Sequence, residues 1–283
     1  MALRIFNNLI SYTAQRYLGE NNNRLSQVFA RIASGVRIQK SSDDSASLHA
    51  SEALNTDART LRQGIRNLND GLSMLNVADG AVAEQTSIIG RMRELAMQSA
   101  TGTIGTTERK SVDLEFRAIK NELDRIAKTT EFNGLKILDG ALSSNASDHI
   151  ILQLGLNSEQ VNQINLNRDT NINSVTAANL DINILSLAEK NSASKAVTKL
   201  KDALQKLSGI RARLGATQNR LTRSINTQLS AAQNLTAAGA TMKDADMASE
   251  FAHLTKESIL VQSSSAMIGQ ANLFPQGVIQ LLP

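Results

Sequence analysis

The stretch LRQGIRNLNDGLSMLNVADGAVAEQTSII, residues 61–89, carries apolar side chains at alternating intervals of four and three residues. The series consists of Leu61, Ile65, Leu68, Leu72, Leu75, Val82 and Ile89, with Asp79 and Thr86 at the two positions that interrupt it. This spacing places a narrow apolar stripe along one side of a helix, which can then pack beside another helix at a shallow angle. We expect residues 57–99 to form one helix about 65 Å long.

A second stripe of the same kind lies far away in the sequence. Its members are Val197, Leu200, Leu204, Leu207, Leu214, Leu221, Ile225, Ala232 and Leu235. Neither long helix would be stable alone, so we expect the two to pack side by side. A shorter helix over residues 107–128 is predicted by Val112, Phe116, Ile119, Leu123 and Ile126. The only prolines, Pro275 and Pro283, lie near the end of the chain and leave long helices possible before them.

The pattern changes between residues 140 and 191. The segment HIILQLGLNSEQVNQINLN, residues 149–167, has short apolar runs on either side of Asn157-Ser158, which predict a β-hairpin. The following NINSVTAANLDINIL, residues 171–185, is expected to mix loop and short strand. Asn133-Gly134 is a turn signal. The patterns therefore predict a mainly α fold, in which long helices pack side by side and a small β-hairpin region lies in the middle of the chain.

The two ends carry thinner apolar seams. The candidate self-assembly residues are Leu18, Leu25, Val28 and Ile32 near the start, and Leu260, Met267, Ala271 and Phe274 near the end. Residues 258–283 contain no charged residue and no histidine, yet their many Ser, Asn and Gln residues make them too polar for a membrane anchor. We expect these seams to form an interhelical core only when several copies assemble.

Catalytic chemistry has little support in the sequence. The net charge of +4 comes without a run of like charges, which disfavours nucleic-acid binding. There is no cysteine, and His49, His149 and His253 are far apart without the spacing of metal ligands. No phosphate-binding loop, dinucleotide fingerprint or nucleophile elbow is present. The pair Asp43-Asp44 is better explained as the cap of a helix than as an acid–base pair. We expect no catalytic residue, cofactor or metal, and no enzyme.

Several long motifs resemble the bacterial flagellins. At the N-terminal side these are MALRIFNN (1–8), RLSQVFARIASGVRIQKSSDDSASLHASEAL (24–54), RNLNDGLSMLNVADGAVAEQTSIIGRMRELAMQSATGT (66–103) and ELDRIAKTTEFNGLKILDG (122–140). At the C-terminal side they are IRARLGATQNRL (210–221), TAAGATMKDADMASE (236–250) and QANLFPQGVIQLL (270–282). They appear in the family's order and cover nearly the whole chain except about residues 140–190.

The resemblance implies a folded-back antiparallel coiled-coil bundle of long helices. It also implies a structural protein that polymerises into the flagellar filament. It implies a terminal helical inner-core domain of residues 1–42 plus 245–283, and a helical rod domain of residues 43–244 whose β-hairpin and loop region covers about 132–191. Export would occur unfolded through the flagellar type III pathway. The filament would lie outside the cell, or in the periplasm of a spirochaete.

The same resemblance implies a set of partners. The chain would form a homopolymer, contact the hook-junction and filament-cap proteins, and bind a flagellar export chaperone through its C-terminal region. No nucleic acid or membrane partner is expected. Recognition by Toll-like receptor 5 is implied at Arg91 and Leu95, within GRMRELAMQ, and at Glu115 on the neighbouring helix. The same residues could instead serve rod packing between subunits.

Other functions remain open at this point. A hook–filament junction protein would share the folded-back architecture but form only a short ring. A secreted coiled-coil effector acting on membranes would need a longer apolar segment than any present. A basic DNA-organising protein would show strongly salt-dependent DNA binding.

Overall fold

The computed structural model describes residues 8–279, with side chains for residues 8–273. Its helices are α1 (Leu9–Ser34), α2 (Ser45–Ala100), α3 (Thr106–Thr129), α4 (Leu166–Thr170), α5 (Lys190–Lys243) and α6 (Met247–Ile279). Its strands are β1 (Glu131–Phe132), β2 (Leu135–Lys136), β3 (Ile151–Gln153) and β4 (Gln163–Asn165). The predicted class is confirmed: long helices dominate, and the strands form two small antiparallel hairpins.

The described chain divides into two compact units, with boundaries inside its two longest helices. One unit comprises the described residues up to Thr56 and from Leu235 onward; the other is Asp57–Asn234. We call them the terminal unit and the rod unit. The boundaries lie within α2 and α5, so the terminal unit takes in more of both helices than the division expected from the sequence.

The core of the rod unit follows the predicted stripes. Leu68, Leu75, Val82 and Ile89 of α2 are fully buried, as are Leu200, Leu207, Leu214 and Leu221 of α5. Polar side chains join the two helices at the edge of the core. Arg211 donates to the Asp79 carboxylate at 3.0 Å, and Gln218 donates to Asn76 at 3.1 Å. Residue numbers rise along one helix as they fall along the other, so the pairing is antiparallel.

The start of α2 is fixed by an aspartate, as the sequence suggested. The Asp44 carboxylate accepts hydrogen bonds from the backbone N–H groups of Ala46 and Ser47, at 3.1 and 3.0 Å. These groups are among the donors that the first turn of a helix leaves without an intrahelical partner. Asp43 instead accepts from the N–H groups of Gln39 and Lys40 and closes the preceding loop. Because of this cap, α2 begins well before residue 57.

Two hairpins occupy the middle of the chain. Strands β1 and β2 are joined by Asn133 and Gly134, which have φ angles of 51° and 79°. Two successive left-handed residues are typical of a type I′ turn, for which Asn-Gly is the favoured sequence. Strands β3 and β4 form the hairpin predicted around Asn157-Ser158, with Leu152 opposite Ile164.

The segment between Asn171 and Glu189 contains no strand, contrary to the mixed loop and strand expected there. Its backbone hydrogen bonds go to scattered partners rather than to a neighbouring strand: Ile172 donates to Leu142 at 2.9 Å, and Val175 donates to Leu138 at 3.0 Å. The buried side chain of Gln85 on α2 fastens the same segment by donating to the carbonyl of Val175 at 3.1 Å. The apolar residues of this segment are therefore buried although its backbone is an irregular loop.

Candidate assembly surface

Helices α1 and α6 pack against each other along a seven-residue repeat. Buried or half-buried positions recur at intervals of three and four on both. On α1 they are Ser11, Ala14, Leu18, Asn21, Leu25, Val28 and Ile32; on α6 they are Glu250, Leu254, Glu257, Val261, Ser264, Ile268 and Ala271. We call these two rows the terminal seam. Such alternation is the signature of coiled-coil packing.

Polar side chains set the register of the terminal seam. Asn21 donates to the Ser264 hydroxyl at 2.9 Å, and Ser11 donates to the Asn272 side-chain oxygen at 2.8 Å. Asn8 caps α1 by accepting from the N–H of Ser11, and its side chain also donates to the carbonyl of Ala271. From Ser11 to Asn21 the residue number on α1 rises, while the partner on α6 falls from Asn272 to Ser264, so the two helices run antiparallel.

The structure distributes the predicted self-assembly residues between the terminal seam and its flank. Leu18, Leu25, Val28, Ile32 and Ala271 lie in the seam, with Val28 8% and Ala271 5% exposed. Leu260 is half-buried and Met267 is 60% exposed; both lie beside the seam rather than in it. The side chain of Phe274 lies outside the described residues.

This packing takes place within one chain. From the sequence we expected the two terminal seams to form a core only in a polymer, whereas the structure pairs them within one chain. A second copy is therefore not needed to bury the seam itself. What the pairing leaves for a second copy is the outer surface of α1 and α6.

Two carboxylates lie in the terminal seam. Glu250 approaches Arg31 of α1, with 3.7 Å between a carboxylate oxygen and a guanidinium nitrogen. Glu257 lies one seven-residue repeat further along and is only 7% exposed. One oxygen of each carboxylate is buried without a hydrogen-bond partner. An unsatisfied buried carboxylate destabilises the packing around it, so the terminal seam is weaker than its apolar members alone would make it.

The outer surface of the terminal unit is rich in apolar side chains that the sequence analysis did not select. Tyr12, Tyr17 and Phe29 project from α1, and Phe251 projects from α6. Among the described side chains every exposed aromatic lies on one of these two helices, whereas Phe116 and Phe132 of the rod unit are buried or half-buried. The apolar periodicity does not reveal these residues, because they lie off the seam. The sequence feature that indicates them is the presence of aromatic residues in helices with few charges.

A groove of about 560 Å³ runs between α1 and α6 on one side of the terminal seam. Its lining is Leu9, Ile10, Thr13, Ala14, Tyr17 and Asn21 from α1, with Leu260, Ser263, Ser264 and Met267 from α6. We call it the terminal groove. None of these ten residues carries a charge. A groove of this size and polarity suits apolar side chains of another molecule.

The residues proposed for receptor contact lie in the rod unit. Arg91 of α2 donates to the Glu115 carboxylate of α3 at 2.9 Å and to Glu94 at 3.1 Å, and all three side chains are exposed. The hydrogen bond to Glu115 and, to a smaller extent, the hydrogen bond to Glu94 raise the pKa of Arg91 above its ordinary value. Leu95 is 1% exposed and packs in the rod core. A protein docking on this surface would meet Arg91 and Glu115 but not the Leu95 side chain.

The described part of the chain shows no group of three or more His, Asp or Glu side chains arranged to hold a metal ion. Within residues 8–279, no helix is long and apolar enough to cross a bilayer.

The comparisons with known proteins match both ends of the chain. The model of the bacterial flagellin N-terminal helical region matches residues 5–143, and that of the C-terminal helical region matches residues 197–282. The chain belongs to the bacterial flagellins. This flagellin is therefore a structural subunit that polymerises into the flagellar filament.

Relatives of similar length support the assignment. A flagellar filament 30.7 kDa core protein of Treponema maltophilum is 36% identical over 288 residues, which cover 98% of this chain and 99% of the relative. A flagellin of Halalkalibacterium halodurans is 36% identical over 278 residues, with 98% and 99% covered. A solved structure of a putative flagellar hook-associated protein from Vibrio parahaemolyticus is 13% identical with a TM-score of 0.55, covering 71% of this chain and 100% of that one. At that identity the likeness concerns the fold alone.

Proposed function

We propose that this flagellin assembles into its filament through the outer surfaces of α1 and α6. The observation that carries the proposal is the concentration of exposed aromatic side chains on these two helices. Exposed apolar clusters mark interaction surfaces, and aromatic residues contribute most per residue to interface energetics. The terminal unit then acts as the assembly domain and the rod unit as the stable body that presents it. In this role the protein has no catalytic activity.

Assembly is tested by seeding purified full-length protein and imaging it by negative-stain electron microscopy. Long tubes of uniform diameter are expected. Short closed rings would favour a hook–filament junction protein of the same architecture, and persistent monomers would contradict the proposal. Because a contact between two different surfaces repeats without closing, it generates an open helix, which is what a filament requires.

The location of the assembly surface is tested by a matched pair of variants. Tyr12→Ser combined with Ile259→Ser removes exposed apolar side chains from α1 and α6, whereas Val161→Ser removes one from the hairpin region of the rod unit. The double variant should leave more protein unassembled in a sedimentation assay, and the Val161 variant should assemble normally. The reverse result would place the assembly surface in the rod unit.

We further propose that the chain is exported unfolded through the flagellar type III pathway, with a chaperone on its C-terminal region. Export of an unfolded chain requires the α1–α6 pair to open. The terminal seam that holds this pair contains polar side chains and two carboxylates, which lower the free energy of opening. The hook-junction and filament-cap proteins are its partners at the two filament ends. The filament lies outside the cell body, or in the periplasm if the cell is a spirochaete; protease treatment of intact cells distinguishes the two locations.

Recognition by Toll-like receptor 5 is a second candidate role for the rod unit. The observation that favours it is the exposed ion pair between Arg91 and Glu115, which joins two helices and presents both charges to solvent. Arg91→Ala should weaken receptor binding to the monomer in a surface plasmon resonance assay. An unchanged dissociation constant would restrict this pair to rod packing.

A further inference from the structure

Two apolar features of the terminal unit lie at different places along the α1–α6 pair. The terminal groove occupies the part of α1 around Tyr17 and the part of α6 around Ser263. Phe29 and Phe251, 64% and 51% exposed, occupy the other end. In the antiparallel register set by Arg31 and Glu250, Phe29 and Phe251 lie at the same level on neighbouring helices. We call them the aromatic pair.

The aromatic pair and the terminal groove lie on opposite sides of the seam. Successive residues of a helix are rotated by about 100°. Phe251 is therefore turned by about 180° from Leu260, and Phe29 by about 120° from Tyr17. Relative to the seam positions of each helix, both phenylalanines point to the side away from the groove. Along the helix axis, Phe251 is about 14 to 24 Å from the groove residues of α6.

We propose that the terminal groove of one copy receives the aromatic pair of a second copy of this chain. This inference rests on the proposed assembly through α1 and α6 and names the contact that carries it. The groove has an uncharged, largely apolar lining, and the aromatic pair supplies rigid apolar side chains that solvent covers in the single chain. A pocket that accepts a buried aromatic anchor is the usual form of an interface hot spot.

The occupant is a second copy because this flagellin polymerises with itself and its two surfaces can form a contact that repeats. The groove and the aromatic pair are different surfaces, on opposite sides of one helix pair and displaced along its axis. A contact between them is heterologous: it leaves a free groove on one copy and a free aromatic pair on the other, so a third copy can bind in the same way. An unrelated partner in the groove would leave the aromatic pair exposed and would end the chain of contacts.

The absence of cysteine allows a clean crosslinking test in full-length protein. One chain carries Phe251→Cys, and a second, tagged chain carries Ser263→Cys in the groove. The chains are mixed, assembled from seeds and oxidised, and disulfide-linked peptides are identified by mass spectrometry. Because a disulfide requires Cα atoms about 4.4–6.8 Å apart, it reports close approach. A link between positions 251 and 263 of different chains is expected in filaments and not in monomers.

The matched control is Gln262→Cys in place of Ser263→Cys. Gln262 is exposed and adjacent in sequence, but it is turned about 100° from Ser263 and does not line the groove. Linkage to position 262 that equals linkage to position 263 overturns the proposal, as does the absence of both in well-formed filaments. Those results would not contradict the proposed assembly through the outer surfaces of α1 and α6. A failure of the unmodified chain to form filaments would instead overturn the proposed function.

A second experiment uses two variants that each lose one surface. Phe29→Ala with Phe251→Ala removes the aromatic pair, and Ser263→Trp fills the groove. Each should raise the monomer concentration that remains after seeded assembly by about tenfold or more, the effect of losing a hot-spot contact. Mixed together, the two variants retain one intact groove and one intact aromatic pair, so they should form dimers but not filaments. Normal filaments from the mixture, or from the first variant alone, would refute the contact.

Discussion

Replacing Glu257 by leucine should stabilise the α1–α6 pair. Glu257 lies in the terminal seam with one oxygen buried and unpartnered. An unsatisfied buried polar group costs about 1–3 kcal/mol, and replacing a buried charge by an apolar side chain of similar size is often stabilising. The free energy of opening the pair should therefore rise by about 1–3 kcal/mol in Glu257→Leu.

The assay is native-state hydrogen exchange of freshly depolymerised monomer, followed by mass spectrometry of peptides from α1 and α6. A gain of about 1–3 kcal/mol slows exchange through opening of the pair by about 5- to 150-fold. The control is Gln262→Leu, an exposed position of the same helix, which should change the opening free energy by less than about 0.5 kcal/mol. Exchange in rod-unit peptides should not change in either variant.

Faster exchange in Glu257→Leu would refute this reasoning, because it would mean that the carboxylate stabilises the α1–α6 pair. Arg24 would then be the candidate partner. Arg24 lies one seven-residue repeat before Arg31 on α1, and Glu257 lies one repeat after Glu250 on α6. Because the helices run antiparallel, Arg24 and Glu257 are at the same level of the pair, as Arg31 and Glu250 are. In the described structure Arg24 is exposed and makes no ion pair. A double-mutant cycle of Arg24→Gln with Glu257→Gln should show no coupling if the carboxylate is unpartnered.

Three further predictions concern the ends of the chain, the hairpin and the cap of α2. Deleting residues 258–283 should leave the rod unit helical by circular dichroism but abolish filaments in electron micrographs; normal filaments would contradict the role of the tail. Gly64→Ala would place a methyl group 2.5 Å from the Leu154 carbonyl oxygen and should lower the unfolding free energy by about 1–3 kcal/mol. Gly80→Ala has open space around the new methyl group and should raise the unfolding free energy by up to about 1 kcal/mol. Chemical denaturation compares the two variants. Hydrogen bonds from the side chain and backbone of Ser47 lower the pKa of Asp44 below its ordinary value of 3.8. The cap therefore stabilises the fold above pH 3.8, and this stabilisation is lost as the pH falls through the folded-state pKa. A midpoint above 3.8 in an NMR titration of Asp44 would contradict this.

The long helices could be predicted because their signal is local. The stripe from Leu61 to Ile89 has the period of a packed helix, and every alternate member is buried in the structure. The start of α2 was harder to place, since it depends on one cap at Asp44 rather than on periodicity. For residues 171–189 the local sequence pattern was insufficient to predict the structure. The segment is held in place by hydrogen bonds to carbonyls about 30 residues earlier in the chain, such as the bond from the Ile172 N–H to the Leu142 carbonyl.

The location of the assembly surface stays a prediction, and the packing of the terminal helices could be foreseen only in part. From the sequence we expected both ends to associate through thin seams with few charges. On α6 the expected row ran through Leu260 and Met267, whereas the structure packs the neighbouring row through Val261 and Ile268. Both rows have the same period, and only the register against α1 distinguishes them. That register is set by side-chain hydrogen bonds such as Asn21 to Ser264, which periodicity does not reveal.

The two units differ in how their buried carboxylates are hydrogen-bonded. In the rod unit the buried Asp113 is fully engaged: it accepts from the Leu187 N–H at 2.6 Å and pairs with Arg117 at 2.8 Å. In the terminal unit Glu250 and Glu257 each keep an unpartnered oxygen. The engaged carboxylate stabilises the rod unit, whereas the two unpartnered oxygens lower the free energy of opening the α1–α6 pair. Replacing both glutamates of the terminal seam by leucine should therefore slow hydrogen exchange in α1 and α6 more than Glu257→Leu does alone, and equal exchange rates in the single and double variants would contradict this.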